Sequence, residues 1–162
     1  MEKEYHKGQE LTMSELGLSL EDLAGQPLEL FAREGARKVY NHVLVRSNEE
    51  ILERTSHIRP GGNFNNVPRR YRRNLKIEHS YMYRRLNPNK PAHTIVTTTK
   101  AMTWHPYQNR AITIREAARL QSFQDNYLFL GSLRSTSKMV ADAVPPLLAR
   151  AIFQKINRMM TH

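Results

Sequence analysis

Residues 109–125 form the stretch whose local structure is most strongly determined by sequence: Asn-Arg-Ala-Ile-Thr-Ile-Arg-Glu-Ala-Ala-Arg-Leu-Gln-Ser-Phe-Gln-Asp. Thr113 stands three residues before Glu116, which is the spacing of a capping box and predicts a helix beginning at Ile114. One face of this helix is mainly apolar and consists of Ile114, Ala117, Ala118 and Gln121. Because residues 122–125 have the composition of a turn, the helix should be short.

The charged residues of this helix allow two interpretations. Arg115 and Arg119 share a second face at i,i+4 spacing, with Glu116 beside them. These side chains could form structural ion pairs or contact phosphate groups. Charged residues on helix surfaces are rarely ligands, which favours the structural role.

The charge of the chain indicates a polyanionic partner. Its 162 residues, enough for one domain or a small domain with an appendage, carry a formal net charge of +10. The interval 59–90 contains nine Lys or Arg residues and one acid, Glu78, whereas residues 1–35 contain eight acids and three bases. Nucleic acid is therefore expected ahead of an acidic membrane surface, although such a band can also serve only as a solubilising face.

The chain contains no cysteine, which excludes disulfides, cysteine-ligated zinc and a thiol nucleophile within these residues. No run approaches the roughly 20 apolar residues of a membrane span, and the N-terminal residues lack the apolar core of a signal peptide. A cytoplasmic protein without a membrane partner is expected, and no metal site is predicted.

Residues 59–68, Arg-Pro-Gly-Gly-Asn-Phe-Asn-Asn-Val-Pro, cannot form regular structure because of their two glycines and two prolines. The loop could be a surface connection, or its backbone and Asn side chains could meet DNA. Arg69-Arg-Tyr-Arg-Arg73 follows directly, and its guanidiniums could bind phosphate or guanine.

The other elements are weaker predictions. Short helices are expected up to Gly25 and from Gln26 to Gly35, and Ser47 should cap a helix that ends near Ile58. Strands are predicted over residues 42–45, 81–86 and 93–98. Residues 126–137 are expected to form a loop, and His105, before a proline, is interpreted as structural rather than catalytic.

The last helix should be capped by Asp142, with Pro145 and Pro146 in its first turn. Its apolar face contains Leu148, Ile152, Ile156 and Met159, widened by Leu147, Ala151 and Phe153. A face this broad requires a neighbouring surface to bury it.

Two of these stretches resemble conserved blocks of one enzyme family. Arg115-Glu-Ala-Ala-Arg-Leu-Gln-Ser-Phe123 is similar to the ninth block of DNA (cytosine-5) methyltransferases, and residues 141–149 resemble the tenth, usually Gly-Asn-Ala-Val-Pro-Pro. Residues 59–68 resemble Pro-Gly-Gly-Asn loops of the family's target-recognition region. The order and spacing of the two blocks identify the chain with the C-terminal part of such an enzyme.

The resemblance implies an α+β fold: a small DNA-recognition domain of mixed short strands and helices, followed by a C-terminal helix that packs on a catalytic domain absent from this chain. It implies a helical segment over residues 1–41, a recognition domain over 42–130 and the tenth-block loop and helix over 131–162. Thr113, Arg115, Glu116 and Arg119 form the structural motif of the ninth block. DNA contacts are expected from Arg59, Gly61, Gly62, Asn63, Arg69, Arg70, Arg72, Arg73, Arg84, Arg85 and Thr94.

The family's reaction requires a Pro-Cys nucleophile, a Glu-Asn-Val acid and a Phe-x-Gly-x-Gly donor loop, none of which this chain contains. We therefore expect no catalytic residue here, and a DNA-recognition subunit or C-terminal fragment that is inactive alone. Its partners would be duplex DNA and a catalytic chain carrying the first eight blocks. S-adenosylmethionine would bind only in that complex, near Asp142 and Ala143, where Ala-Asp replaces the family's Gly-Asn.

Other functions are also compatible with the sequence. The chain could be a stand-alone, non-enzymatic DNA-binding protein derived from such an enzyme, and it could form a homodimer if a catalytic partner is absent. Binding to RNA is less favoured, because Trp104 and the tyrosines form no recognisable stacking motif.

Overall fold

The computed structural model of the chain describes residues 38–72, 82–96 and 103–161. The helices expected before Gly25 and from Gln26 to Gly35, and therefore most of the segment 1–41, lie outside the described residues. The described helices are α1 (Glu49–Ser56), α2 (Ile114–Leu120), α3 (Leu133–Asp142) and α4 (Pro146–Met160), with 3-10 turns at Phe64–Asn66 and Arg69–Tyr71.

Helix α1 begins one residue later than its sequence predicts. The cap is Asn48, whose side-chain oxygen accepts the N–H of Ile51 at 2.9 Å, and not Ser47. The helix ends at Ser56, and the N–H of Ile58 bonds to the carbonyl of Thr55 at 3.0 Å, so the predicted end near Ile58 is confirmed.

The backbone around Trp104 pairs only at isolated bridges. Trp104 bridges Arg85 in parallel and Ala111 antiparallel. The predicted strand over residues 42–45 is wrong, because the structure assigns no strand there and pairs these residues with no strand in the described part of the chain; His42 is held by its side chain. No extended strand occurs at the described positions of 81–86 and 93–98, so the regular structure described is helical and the α+β class stays a prediction.

Helix α2 confirms the capping box. Glu116 N–H donates to the Thr113 hydroxyl at 3.1 Å, and the Glu116 carboxylate accepts Thr113 N–H at 2.7 Å. Ile114, Ala117 and Ala118 are buried as the apolar spacing predicts. They belong to the main core, which we define as Ile95, Ile112, Ile114, Ala117, Ala118, Phe123, Phe129 and Val140.

Helices α3 and α4 correct two predictions. The second half of the expected loop over residues 126–137 is helical, because the Ser132 hydroxyl accepts Ser135 N–H and caps α3. Asp142 is the last residue of α3, paired with Lys138 one turn before it, and therefore does not cap the final helix. Helix α4 begins at Pro146 and has no buried residue.

Candidate nucleic-acid interface

The glycine and asparagine loop over residues 59–68 is tightly closed. Gly61 has a φ of +78°, and its N–H lies 3.1 Å from the carbonyl of Arg85. A side chain on Gly62 would meet the carbonyl of Arg59 at 2.9 Å. These two glycines therefore let the loop fold against the segment after residue 82, which is a structural use of their small size.

The asparagines of this loop cap their own 3-10 turn. Asn63 Oδ1 accepts the N–H of Asn65 at 3.0 Å, and Asn66 Oδ1 accepts the N–H of Asn63 at 3.0 Å. Phe64 is buried beside Ile58 and Val67 in a second, smaller core. The loop is thus a fixed platform, and Asn63 contributes to it through local hydrogen bonds.

The arginines predicted to contact DNA divide into two groups. Arg59, Arg69 and Arg70 are exposed. Arg72 turns inward, donating from Nε to the carbonyl of Val67 at 2.7 Å and from Nη2 to that of Asn65 at 2.9 Å. Arg73 lies outside the described residues.

The segment after residue 82 holds three further predicted contacts. Arg84 is half-buried and Thr94 is exposed. Arg85 is only 6% exposed, and all five of its N–H donors are directed at protein acceptors. The prediction that Arg85 contacts the DNA backbone is therefore wrong, because its guanidinium has no donor left for a phosphate.

Arg85 joins three segments of the chain. Nε donates to the carbonyl of Ile58 at 2.6 Å, and Nη1 donates to the carbonyls of His105 and Gln108 at 2.8 and 2.7 Å. Nη2 donates to the carbonyl of Thr55 and to Asn109 Oδ1, both at 2.9 Å. The basic loop and the turn over residues 105–109 are thereby held side by side. Burial lowers the pKa of Arg85.

The charges of helix α2 are structural, as the sequence favoured. Arg115 is fully buried and donates to the carbonyls of Tyr40, Gln124 and Tyr127. Burial lowers its pKa to about 10. Arg119 forms an ion pair of 2.6 Å with the buried carboxylate of Asp125, so both arginines fix the turn that follows the helix.

Glu116 is held as a carboxylate by Arg110. Arg110 Nη1 and Nη2 donate to its two oxygens at 2.8 and 2.7 Å. Burial would raise the pKa of Glu116, but the hydrogen bonds and charge of Arg110, with the Thr113 N–H, outweigh it and lower the pKa to about 2. The sequence pattern predicted the capping box, but the role of Arg110 required the fold.

Two histidines support this framework. His42 Nδ1 lies 2.9 Å from the Thr113 hydroxyl, and burial lowers its pKa. His105 Nδ1 accepts the N–H groups of Tyr107 and Gln108 at 3.2 and 3.0 Å. Both therefore have structural contacts, as predicted for His105.

Comparison with known proteins decides the family. The family model described as C-5 cytosine-specific DNA methylase matches residues 1–158. The chain belongs to this family. Type II methyltransferase M.BbvI of Brevibacillus brevis is 37% identical over 121 residues, which cover 72% of this chain and 32% of that protein. Type II methyltransferase M1.HphI of Haemophilus parahaemolyticus is 36% identical over 124 residues, with 76% and 32% covered.

A solved structure agrees with this assignment. A crystal structure from E. coli, described as a DNA modification methyltransferase encoded within a prophage, matches with a TM-score of 0.60 and 25% identity. The match covers 78% of this chain and 31% of that one. The chain thus spans about a third of the length of each of these three proteins.

The family uses S-adenosylmethionine as methyl donor, and the two residues expected near it offer little to hold one. Asp142 is exposed and paired with Lys138, and Ala143 is half-buried against the main core. A single solvated carboxylate and one alanine cannot enclose an adenosine and a sulfonium. These two residues therefore do not fit the whole donor.

The described residues contain neither a cluster of metal-binding side chains nor a helix that could cross a membrane. No three His, Asp or Glu side chains in ranges 38–72, 82–96 and 103–161 are grouped closely enough to hold a metal ion. In the same ranges, no helix has the length and apolar character needed to cross a membrane.

Proposed function

We propose that this chain is the DNA-recognition and last-two-block part of a DNA (cytosine-5) methyltransferase, as a subunit or a C-terminal fragment, and that methyl transfer requires the first eight blocks in addition to these residues. The observation that supports this most directly is the unburied apolar face of helix α4. None of the 15 residues of this helix is buried.

The face is too large to be an ordinary surface. Its exposed members are Leu148, Ile152, Phe153, Ile156, Met159 and Met160, with exposed fractions between 45% and 80%. Burying one such side chain is worth about 1.5 to 3 kcal/mol. A surface that covered several of them would therefore stabilise a complex substantially.

The chemistry of the reaction also requires groups that these 162 residues do not contain. Attack on carbon 6 of cytosine needs a thiolate, and these 162 residues contain no cysteine. The catalytic partner would supply the thiolate, the acid at ring nitrogen 3 and most of the donor site.

The DNA-facing part would be the fixed basic loop. Arg59, Arg69 and Arg70 are exposed on a platform that Arg85 and the buried Phe64 hold in place. Because the backbone that carries them is already ordered, binding of these guanidiniums to phosphates would not have to order the loop as well.

Methyl transfer from labelled S-adenosylmethionine to duplex DNA tests the proposal. The chain is assayed alone and after mixing with a chain that carries the first eight blocks, and activity is expected only in the mixture. Ile156→Glu, on the apolar face of α4, should remove the activity of the mixture by preventing docking. Gln154→Glu, on the other side of the helix, adds the same charge and should not.

Asp142 supports a second candidate, a non-enzymatic DNA-binding protein. This residue stands where the family usually has Asn, and it pairs with Lys138 at the surface. Tight DNA binding with no activity in any mixture would favour this function over the first. A stable homodimer that is lost in Ile156→Glu would indicate that a second copy covers helix α4 instead.

A further inference from the structure

Two loop tips meet at the guanidinium of Arg85. The carbonyl of Ile58 lies 2.6 Å from Nε, and the carbonyl of Gln108 lies 2.7 Å from Nη1. Because one guanidinium contacts both carbonyls, the two backbones are separated by no more than the width of that group and its hydrogen bonds. Arg59 follows Ile58 and Tyr107 precedes Gln108, so the backbones that carry these two side chains lie close together.

Both of these neighbours extend into solvent. Arg59 is exposed, and Tyr107 is 75% exposed, the highest value of any described tyrosine. No hydrogen bond to the Tyr107 hydroxyl occurs within ranges 38–72, 82–96 and 103–161. A single exposed ring needs no explanation by itself, but Tyr107 belongs to a turn that Arg85 holds close to the backbone preceding Arg59, in a region with an excess of arginine.

The turn that carries Tyr107 is fixed. His105 Nδ1 accepts the backbone N–H groups of Tyr107 and Gln108. The rings of His105 and Tyr107 lie edge to face, with their centroids 6.2 Å apart. Asn109 Nδ2 donates to the carbonyl of Leu52 at 2.7 Å, which ties the turn to helix α1. Tyr107 is thus presented by a rigid backbone, so little order would be lost when its ring is covered.

We propose that Tyr107 is a DNA-contacting residue whose ring packs on a sugar or base of the strand that Arg59 binds through phosphate. The inference rests on the proposed DNA-binding function and adds a residue that the basic sequence pattern did not include. Aromatic rings pack on nucleotides whatever the base, whereas the neighbouring guanidinium supplies the charge. The pair would place an apolar contact and an ionic contact on the same strand.

Binding of the full chain to a mixed-sequence duplex is measured at several salt concentrations. Tyr107→Ala should weaken binding about 5-fold or more, since even the lower end of the range for a ring stacked on a single-stranded base corresponds to about 5-fold. The dependence on salt should not change, because the ring neutralises no phosphate. Arg59→Gln should instead lower the salt slope by about 0.9. Tyr107→Phe keeps the ring and should bind like the unaltered chain, and Leu130→Ala, 71% exposed in another loop, is the matched control.

A second measurement uses the unaltered chain, so that its result does not depend on the folding of a variant. Nitration of tyrosines is followed by mass spectrometry with and without duplex DNA. Tyr107 should be protected by DNA, and Tyr127, 52% exposed beside Phe123, should not.

The outcomes separate this inference from the proposed function. If the unaltered chain binds duplex DNA neither alone nor in the mixture with the first eight blocks, both are overturned. If it binds and Tyr107→Ala binds equally well with no protection of Tyr107, only the role of Tyr107 is wrong. If Tyr107→Ala and Tyr107→Phe lose the same amount of affinity for DNA, the ring does not pack on the nucleotide, because the lost contact is then made by the hydroxyl.

Discussion

Arg85 Nη2 donates a hydrogen bond of 2.9 Å to the side-chain oxygen of Asn109. This contact completes a set of five acceptors around a guanidinium that is almost fully buried. The residues involved are far apart in sequence, and the buried cation is what holds the basic loop against the turn that carries Tyr107.

Replacing Arg85 should therefore destabilise the whole platform. Arg85→Met leaves several buried carbonyls without a donor and should lower the free energy of unfolding by about 2 to 4 kcal/mol. Arg85→Lys should recover less than half of this, because an ammonium cannot reach acceptors arranged around a planar fork. Chemical denaturation measures both, with Arg84→Met at the half-buried neighbour as control. Equal stability of the Arg85 and Arg84 variants would contradict the structural role of Arg85.

The stability of the protein should depend on both the backbone conformation and the side chain of Asn41. It has a φ of +61°, and its amide exchanges hydrogen bonds of 2.8 and 2.9 Å with the backbone of Phe129. Asn41→Gly keeps the backbone but loses both bonds, which should cost about 1 to 2 kcal/mol. Asn41→Ala adds the strain of the left-handed region and should be less stable than Asn41→Gly by about 1 kcal/mol. Thermal unfolding of the two variants would reveal the order, and the reverse order would rule out this explanation.

Glu116 should make the protein sensitive to acid. Its pKa is lowered from 4.5 to about 2 in the folded state, so its contribution is fully present above pH 4.5 and is lost as pH falls toward 2. The decrease in stability should be on the order of 3 kcal/mol and should be absent in Glu116→Gln. Denaturation at a series of pH values tests this, with Glu53→Gln at an exposed position of α1 as control. A parallel decline in Glu116→Gln and the unaltered chain would show that other groups cause the acid sensitivity.

Arg69, Arg70 and Arg72 are close in sequence, but their substitution should have different effects on DNA binding and on stability. If the chain binds DNA as proposed, Arg69→Gln and Arg70→Gln should each lower the salt slope of binding by about 0.9 for every phosphate that the arginine neutralises. Arg72→Gln should leave the slope nearly unchanged and lower stability by about 1 to 2 kcal/mol, because Arg72 donates to Val67 and Asn65. Titrations at several salt concentrations, paired with denaturation, separate the two effects. A decrease of slope in Arg72→Gln equal to that of Arg69→Gln would refute the division.

Local sequence predicted the features that depend on neighbouring residues. The capping box of Thr113 and Glu116, the start of helix α2 at Ile114 and the buried face with Ala117 all follow from spacing along one helix. The loop over residues 59–68 followed in the same way from its glycines and prolines, although it contains one 3-10 turn at Phe64–Asn66. The two errors in helix capping occurred where two local signals competed: Asn48 caps α1 in place of Ser47, and Asp142 completes α3 instead of starting α4.

The family and the basic character of the surface were determined by the sequence, because block order, spacing and charge are properties of the chain itself. The roles of individual arginines were decided only by the tertiary structure. Arg85 and Arg115 are buried among carbonyls, Arg72 folds back on its loop, and Arg59 remains in solvent. Side-chain type fixes the charge of an arginine, but the acceptors around it come from segments distant in sequence, and only folding brings these together.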